Sequence, residues 1–216
     1  MSLSPEIEVP QFPPGTAYLT CFESWNIILA HETDNANFST ATKRDMTFGF
    51  GDPSLGEYFV GGQVLWYLLD SGSFVVRIDM WLQDGGFHFA EFNGVTLLPR
   101  GEDFALTLSD YTYGTATAGG MITYHNSSLL AASNHDPTTL ECVDEFEGGW
   151  WYIEGRVVQS SGGEEDLCFT SHLTSTESMV WAQEDTDGTI LDTTFDLQKV
   201  VLRVMGHPEL TLRNCS

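Results

Sequence analysis

Six histidines, 31 aspartates and glutamates and four cysteines are the residues of this 216-residue chain that could do chemistry, and their spacing decides which. His31-Glu32 has no second histidine at helical spacing, so it is not a zinc-protease pair. No Gly-x-Ser-x-Gly nucleophile turn, phosphate-cradling Gly-Lys-Ser/Thr loop or dinucleotide fingerprint occurs. A glycosidase-like carboxylate pair is the best enzyme alternative, but nothing singles one out among so many acids. Asp185-Thr186-Asp187-Gly188 has partial calcium-loop spacing, which an Asp-Gly turn explains better. The cysteines Cys21, Cys142, Cys168 and Cys215 show no Cys-x-x-Cys or paired Cys/His spacing, so they read as oxidised staples rather than zinc ligands. Four cysteines allow three pairings, and the residues alone do not choose among them. Sequons at Asn37, Asn126 and Asn214 are glycosylation acceptors if the chain is secreted.

These groups must be positioned by a strand-rich chain. Pro5, Pro10, Pro13 and Pro14 make residues 1–16 an extended tail. Residues 25–30 read as a buried strand, and residues 38–48 contain a short helix capped by Ser39 or Thr40. Residues 57–108 read as mostly strand. There Val75, Arg77 and Asp79 alternate with Phe74, Val76, Ile78 and Met80 at a period of two. Asp84-Gly85-Gly86 is a turn, and residues 87–92 return antiparallel as the second arm of a hairpin. Beyond Tyr111 the chain is Gly-, Ser-, Thr- and Asp-rich and weakly periodic, the kind of long irregular segment that carries binding function. A last strand covers residues 199–205. The domain reading is a tail at 1–16, one domain at 17–205 and a tail at 206–216, without repeat or linker.

The chain is 42% hydrophobic and 12% aromatic, a globular composition. Eight Lys and Arg against 31 acids give a formal charge of −23, which repels phosphate backbones and argues against nucleic acid as a partner. It would attract basic partners or divalent cations, although solubility is the plainer reading. No run approaches the ~18 apolar residues of a membrane span. The opening MSLSPEIEVPQFPPG lacks the charged-then-apolar pattern of a secretory leader, so no signal peptide is read in this chain.

The order of motifs goes further than composition. Residues 48–62 read FGFGDPSLGEYFVGG and residues 71–97 read SGSFVVRIDMWLQDGGFHFAEFNGVTL; ITYHN follows at 122–126 and CVDEFEGGWWY at 142–152. In that order they resemble the fibrinogen C-terminal (fibrinogen-like) domain, the globular module of fibrinogens, ficolins, tachylectins and angiopoietins. Cys21 and Trp25-Asn26-Ile27-Ile28 are similar to the opening of that family. Gly56-Glu57-Tyr58-Phe59-Val60-Gly61 resembles its Gly-Glu-Phe-Trp-Leu-Gly motif. Tyr113-Gly114-Thr115-Ala116, Tyr124-His125-Asn126, Gly148-Gly149-Trp150-Trp151-Tyr152 and Val180-Trp181 resemble its later segments, so the likeness covers about residues 18–205. It implies an α+β fold: a central twisted, mainly antiparallel sheet with few short helices and a loop-rich binding end, the Trp pair buried. It implies no enzyme activity, but an extracellular recognition module that takes a glycan or protein ligand through the loops at 126–185. The alternative is a diverged interaction domain without a sugar pocket, engaging basic partners through its acidic surface.

The resemblance also implies sites. Cys142 and Cys168 correspond to the family's disulfide around the Trp pair, leaving Cys21 and Cys215 either to pair together or to bridge to another chain in an oligomer. The family's calcium loop falls on Asn134 and Asp136, with Thr138 and Leu140 as carbonyl ligands. Asn in place of Asp removes one ligand charge, leaving a calcium site that is weak or lost. The aromatic cleft of the lectin branch corresponds to Phe146, Phe169 and Trp181, with His172 and Tyr152 as nearby polar donors. Phe169 stands where that branch has His, and Ser175 where it has Tyr, and neither exchange keeps the original hydrogen bond or ring. A basic-peptide pocket of the fibrinogen type would draw charge from Glu145, Glu147, Glu164, Glu165 and Asp166.

Overall fold

A computed structural model describes residues 20–22, 25–32, 38–70, 75–116, 124–132, 140–146, 148–153, 157–160, 162–176, 178–187 and 189–205. Both tails lie outside them, as do Asn37 and Asn214.

The chain opens with β1 (Thr20–Phe22) and β2 (Trp25–Glu32), then helix α1 (Lys43–Phe48). The cap of α1 is Thr42, not Ser39 or Thr40. The Thr42 hydroxyl accepts from the Asp45 N–H at 3.3 Å, and the Asp45 carboxylate accepts from the Thr42 N–H at 2.9 Å. That reciprocal box needs an acid three residues on, which only Thr42 has. Strands β3 (Phe50–Asp52) and β4 (Glu57–Phe59) follow, then helix α2 (Gly62–Asp70). Helix α2 corrects the reading of residues 57–108 as mostly strand. Its buried residues Val64, Leu65, Leu68 and Leu69 recur at helical spacing and form one apolar stripe.

Strands β5 (Val75–Leu82) and β6 (Phe87–Asn93) form the expected hairpin, its turn closed by the Asp84 carboxylate accepting from the Gly86 N–H at 2.8 Å. Short strands β7 (Thr96–Leu97) and β8 (Leu106–Thr107) pair with each other, and β9 (Asp110–Gly114) adds to β6. The stretch after Tyr111, expected to be irregular, also holds helix α3 (Leu140–Phe146) and strands β10 (Val157–Ser160), β11 (Gly163–Asp166), β12 (Ser171–His172) and β13 (Met179–Glu184). The last strand, β14, runs from Ile190 to Met205, longer than the 199–205 expected. Its first half pairs with β13, and its second half lies between β2 and β5. The main sheet therefore runs β3-β4-β2-β14-β5-β6-β9, antiparallel throughout, and the α+β architecture is as expected.

Period-two patterning divides the two faces of that sheet. Val76, Ile78 and Met80 of β5 and Val200 and Val204 of β14 are buried together with α2 and the Trp pair. On the opposite face Asp79, only 1% exposed, joins two guanidinium groups: Arg77 Nε donates to it at 2.7 Å and Arg203 contacts it at 2.6 Å. Glu91 accepts from Arg77 at 2.7 Å on the neighbouring strand. The register explains the cluster, since Arg77 lies opposite both Arg203 and Glu91. Removing one partner of a buried ion pair leaves the others uncompensated. Asp79→Ala should therefore destabilise the domain by about 3 kcal/mol, read as a lower urea midpoint at unchanged slope; a shift within error of wild type would show that the cluster adds nothing.

Candidate functional site

At the loop-rich end, α3 places Cys142 and Phe146 four residues apart, one helical turn and therefore one face. Cys142 bonds to Cys168 (S–S 1.99 Å, Cα–Cα 5.5 Å), the bridge that the resemblance implies. A loop closed over 26 residues contributes about 3 kcal/mol in the chain-entropy picture. Phe146 then meets the residue after Cys168: the Phe146 and Phe169 rings sit edge to face at 4.7 Å between centroids.

Two strands complete the wall. In the β12–β13 pair, His172 lies opposite Val180, and Ser171 opposite Trp181. Residues directly opposite share a face, so one pair points at the cleft and the other at the core. A cleft of about 250 Å³ results, with Phe146, Phe169, His172 and Val180 along its walls and Ser175, Ser178 and Glu145 completing them. Trp181 is fully buried and lies beneath the cleft as support, not on its surface. A separate void of about 40 Å³ between the sheet and the Trp pair is lined by Ile28, Leu65, Ile78 and other core residues; it is a packing gap.

The polar donors expected near the cleft are engaged inside the protein. Tyr152 is 1% exposed; its hydroxyl donates to the Gly148 carbonyl at 2.9 Å and meets His172 Nε2 at 3.1 Å. A phenol has one proton, so His172 Nε2–H must donate to it. Burial pushes the Tyr152 phenol up, and burial, with His125 and His31 nearby, holds the His172 imidazole down to about 3. His172 is neutral wherever the fold persists near neutrality.

Two further histidines tie the walls together. His125 lies near the Trp pair, its Nδ1 against the Trp151 carbonyl; its Nε2 accepts from the N–H groups of Thr170 (3.2 Å) and Ser171 (3.3 Å). Its role was not read from the sequence. His31, on β2 and 0% exposed, contacts the Glu57 carboxylate at 3.0 Å through Nδ1 and donates through Nε2 to the Ser175 carbonyl at 3.0 Å. Glu57 also accepts from the Glu32 N–H. A wall of the cleft is thus anchored to the central sheet by a buried His–Glu pair. A charged residue inside an apolar run, as in Glu57-Tyr58-Phe59-Val60, was the available signal.

Several expected site residues are placed elsewhere. Trp150 and Trp151 are buried as expected, with Trp151 Nε1 donating to the Phe104 carbonyl at 2.9 Å. The Asp185 carboxylate closes a turn by accepting from the N–H groups of Asp187 (2.9 Å) and Thr189 (3.0 Å), in keeping with the turn reading. Asn126 Oδ1 accepts from the Leu108 N–H at 3.0 Å. Glu164 is exposed on β11, while Glu147, Cys215 and the calcium candidates Asn134, Asp136 and Thr138 lie outside the described residues. Leu140 opens α3, where a carbonyl ordinarily accepts from the fourth residue on. Among the described residues, no three His, Cys, Asp or Glu side chains gather as a metal site.

The site is thus a disulfide-framed cleft with an aromatic wall at the loop-rich end of an antiparallel sheet. The chain belongs to the family described as fibrinogen beta and gamma chains, C-terminal globular domain, which matches residues 19–200, and it is a non-enzymatic domain. Among its relatives, it is 32% identical over 106 residues to Angiopoietin-related protein 2 of Homo sapiens and of Mus musculus (48% of this chain, 21% of theirs). It is 23% identical over 128 residues to Angiopoietin-4 of Bos taurus (59% of this chain, 25% of the relative). The chain thus spans about a quarter or less of the curated relatives it matches. Among solved structures, the fibrinogen-like globe domain of human ANGPTL2 shares the fold at a TM-score of 0.65 and 24% identity, covering 96% of this chain and 92% of that one. Lamprey fibrin D-dimer, complexed with the peptide Gly-His-Arg-Pro-amide, does so at 0.65 and 18%, covering 92% and 66%.

The pH dependence of stability follows from His172. An unfolded histidine titrates near 6.5, whereas folded His172 does so at about 3, so between these values the unfolded chain binds more protons. Its effect is to leave stability whole above about pH 6.5 and to erode it as pH falls toward 3. Urea melts from pH 7 to pH 4 should show a shallower acid loss for His172→Phe than for wild type. Identical slopes would mean that His172 is not held neutral by the fold.

Proposed function

We propose that this domain is an extracellular recognition module that seats part of a glycan or protein ligand in the Phe146–Phe169 cleft. The observation that carries the reading is the convergence of Phe146, Phe169 and His172 on one cleft of about 250 Å³. The edge-to-face rings give an apolar wall, and Ser175 and Ser178 line the cleft beside it. With the Tyr152 hydroxyl and His172 Nε2–H engaged internally, the cleft suits a methyl-bearing or aliphatic group with a polar edge better than a fully hydroxylated sugar ring. Secretion belongs to the same proposal and rests on the kinship with angiopoietin-related proteins and fibrin. The formal charge of −23 supports a second reading, in which the acidic surface engages basic protein partners.

A glycan array run with and without calcium tests the first reading. Saturable binding of acetylated sugars, competed by the free sugar and lost in Phe146→Ala, is the expected result. A blank array alongside capture of basic proteins that fades with salt would remove the glycan and leave the second reading.

Calcium at Asn134 and Asp136 belongs to this proposal as well, on the family likeness of that segment. A cation that binds only the folded chain raises its melting temperature. Millimolar calcium should therefore raise Tm, and Asp136→Ala should abolish the rise; an unchanged melt would retire the site.

A further inference from the structure

We propose that the outer face of the β5–β6 hairpin, with strand β9, docks an extended, arginine-bearing segment of a basic partner protein, at a surface separate from the cleft. Four rings form a continuous ribbon there. Trp81 and Phe87 lie 5.1 Å apart, Phe87 and Phe89 stack at 6.4 Å, and Phe89 meets Tyr113 at 5.4 Å between centroids. Period two puts Trp81, Phe87, Phe89 and Tyr113 on the face that carries Asp79 and Arg77. Yet Phe87 is 45% exposed and Tyr113 64% exposed. A hydrophobic core has no use for rings so placed, and exposed rings joined through half-buried Trp81 and Phe89 into one ribbon mark an interaction surface.

The partner's chemistry follows from what the ribbon already holds and from charge. The Arg77 guanidinium lies over the Phe89 ring, 4.0 Å from its centroid, so the middle ring is already capped by a cation. Phe87 and Tyr113, on either side of it, present the same kind of ring to solvent. A flat guanidinium fits a ring face better than a solvated ammonium does. Exposed Asp84 lies at the hairpin turn beside Phe87, and exposed Asp110 begins the strand that carries Tyr113. The three cations on this face are each paired with a carboxylate: Arg77 with Asp79 and Glu91, Arg203 with Asp79, and Lys199, which lies 3.6 Å from Glu32. A second copy of the chain, at −23, would be repelled, whereas a basic segment is drawn in. Strand β9 ends the sheet order among the described residues, so an extended segment can lie along it, with alternate side chains reaching the rings.

This surface gives the second reading above a location, and its test separates ribbon from charge and from cleft. The full chain is titrated calorimetrically with a synthetic peptide alternating arginine and threonine, at about 0.15 M salt. Wild type should bind. The double variant Phe87→Ser/Tyr113→Ser keeps the net charge and should bind about tenfold more weakly, as expected for two exposed cation–π contacts. Phe87→Leu/Tyr113→Leu keeps apolar area but not the ring faces and should lose about as much. Phe146→Ala should bind like wild type. Failure of wild type to bind, or equal affinity of the serine variant, would overturn the proposal, the latter by leaving charge as the sole attraction. Full binding by the leucine variant, or loss in Phe146→Ala, would overturn it too.

Discussion

Buried backbone groups must find hydrogen-bond partners, and at the loop-rich end of this domain few strand ladders supply them. Imidazoles do so instead. His125 joins the Trp151 carbonyl to the N–H groups of Thr170 and Ser171, segments about 20 residues apart. His31 reaches from the central sheet to the Ser175 carbonyl, and His172 closes on the Tyr152 hydroxyl. Each ring is planar and buried, and each fixes two chain segments that share no ladder. The cleft exists because these cross-links, with the Cys142–Cys168 bridge, hold segments that sheet pairing does not.

The same constraint sets the character of the cleft. A side chain used to satisfy a backbone atom is withdrawn from any ligand, as the Tyr152 hydroxyl is by the Gly148 carbonyl, and Trp181 is fully buried in the core and does not face the cleft. What lines it is the perpendicular Phe pair, His172, Val180 and the serines, with an acid beside them. Rigidity is the return for this. A preformed apolar wall binds without first ordering itself, which lowers the entropic cost of association.

The central sheet works by a different rule. Its inner face is apolar and closed, whereas its outer face mixes a buried carboxylate between two guanidiniums with rings left in water. Both outer features follow from period two acting on four adjacent strands, β14, β5, β6 and β9, which brings Arg77, Arg203 and Glu91 into register and lines up Phe87, Phe89 and Tyr113. One side of a single sheet thereby carries both a stabilising charge cluster and an exposed aromatic ribbon.

Much of this was legible in the amino-acid order. Alternation over residues 75–80 and the Asp84-Gly85-Gly86 turn specify a hairpin by local chemistry alone, and the motif series gave the family, the disulfide and the buried Trp pair. The misreadings have local causes as well: α2 sits inside a strand-like apolar run, and the Thr42 cap depends on Asp45 three residues on. The rest was decided by tertiary structure. Nothing in the neighbourhood of His31 or His125 says that each will meet carbonyl or N–H groups far along the chain, and nothing beside Trp181 says that it faces inward while Val180 faces the cleft. Local sequence determines which backbone shapes are cheap; which buried polar atoms lack a partner, and which side chain reaches them, is settled only when distant segments pack together.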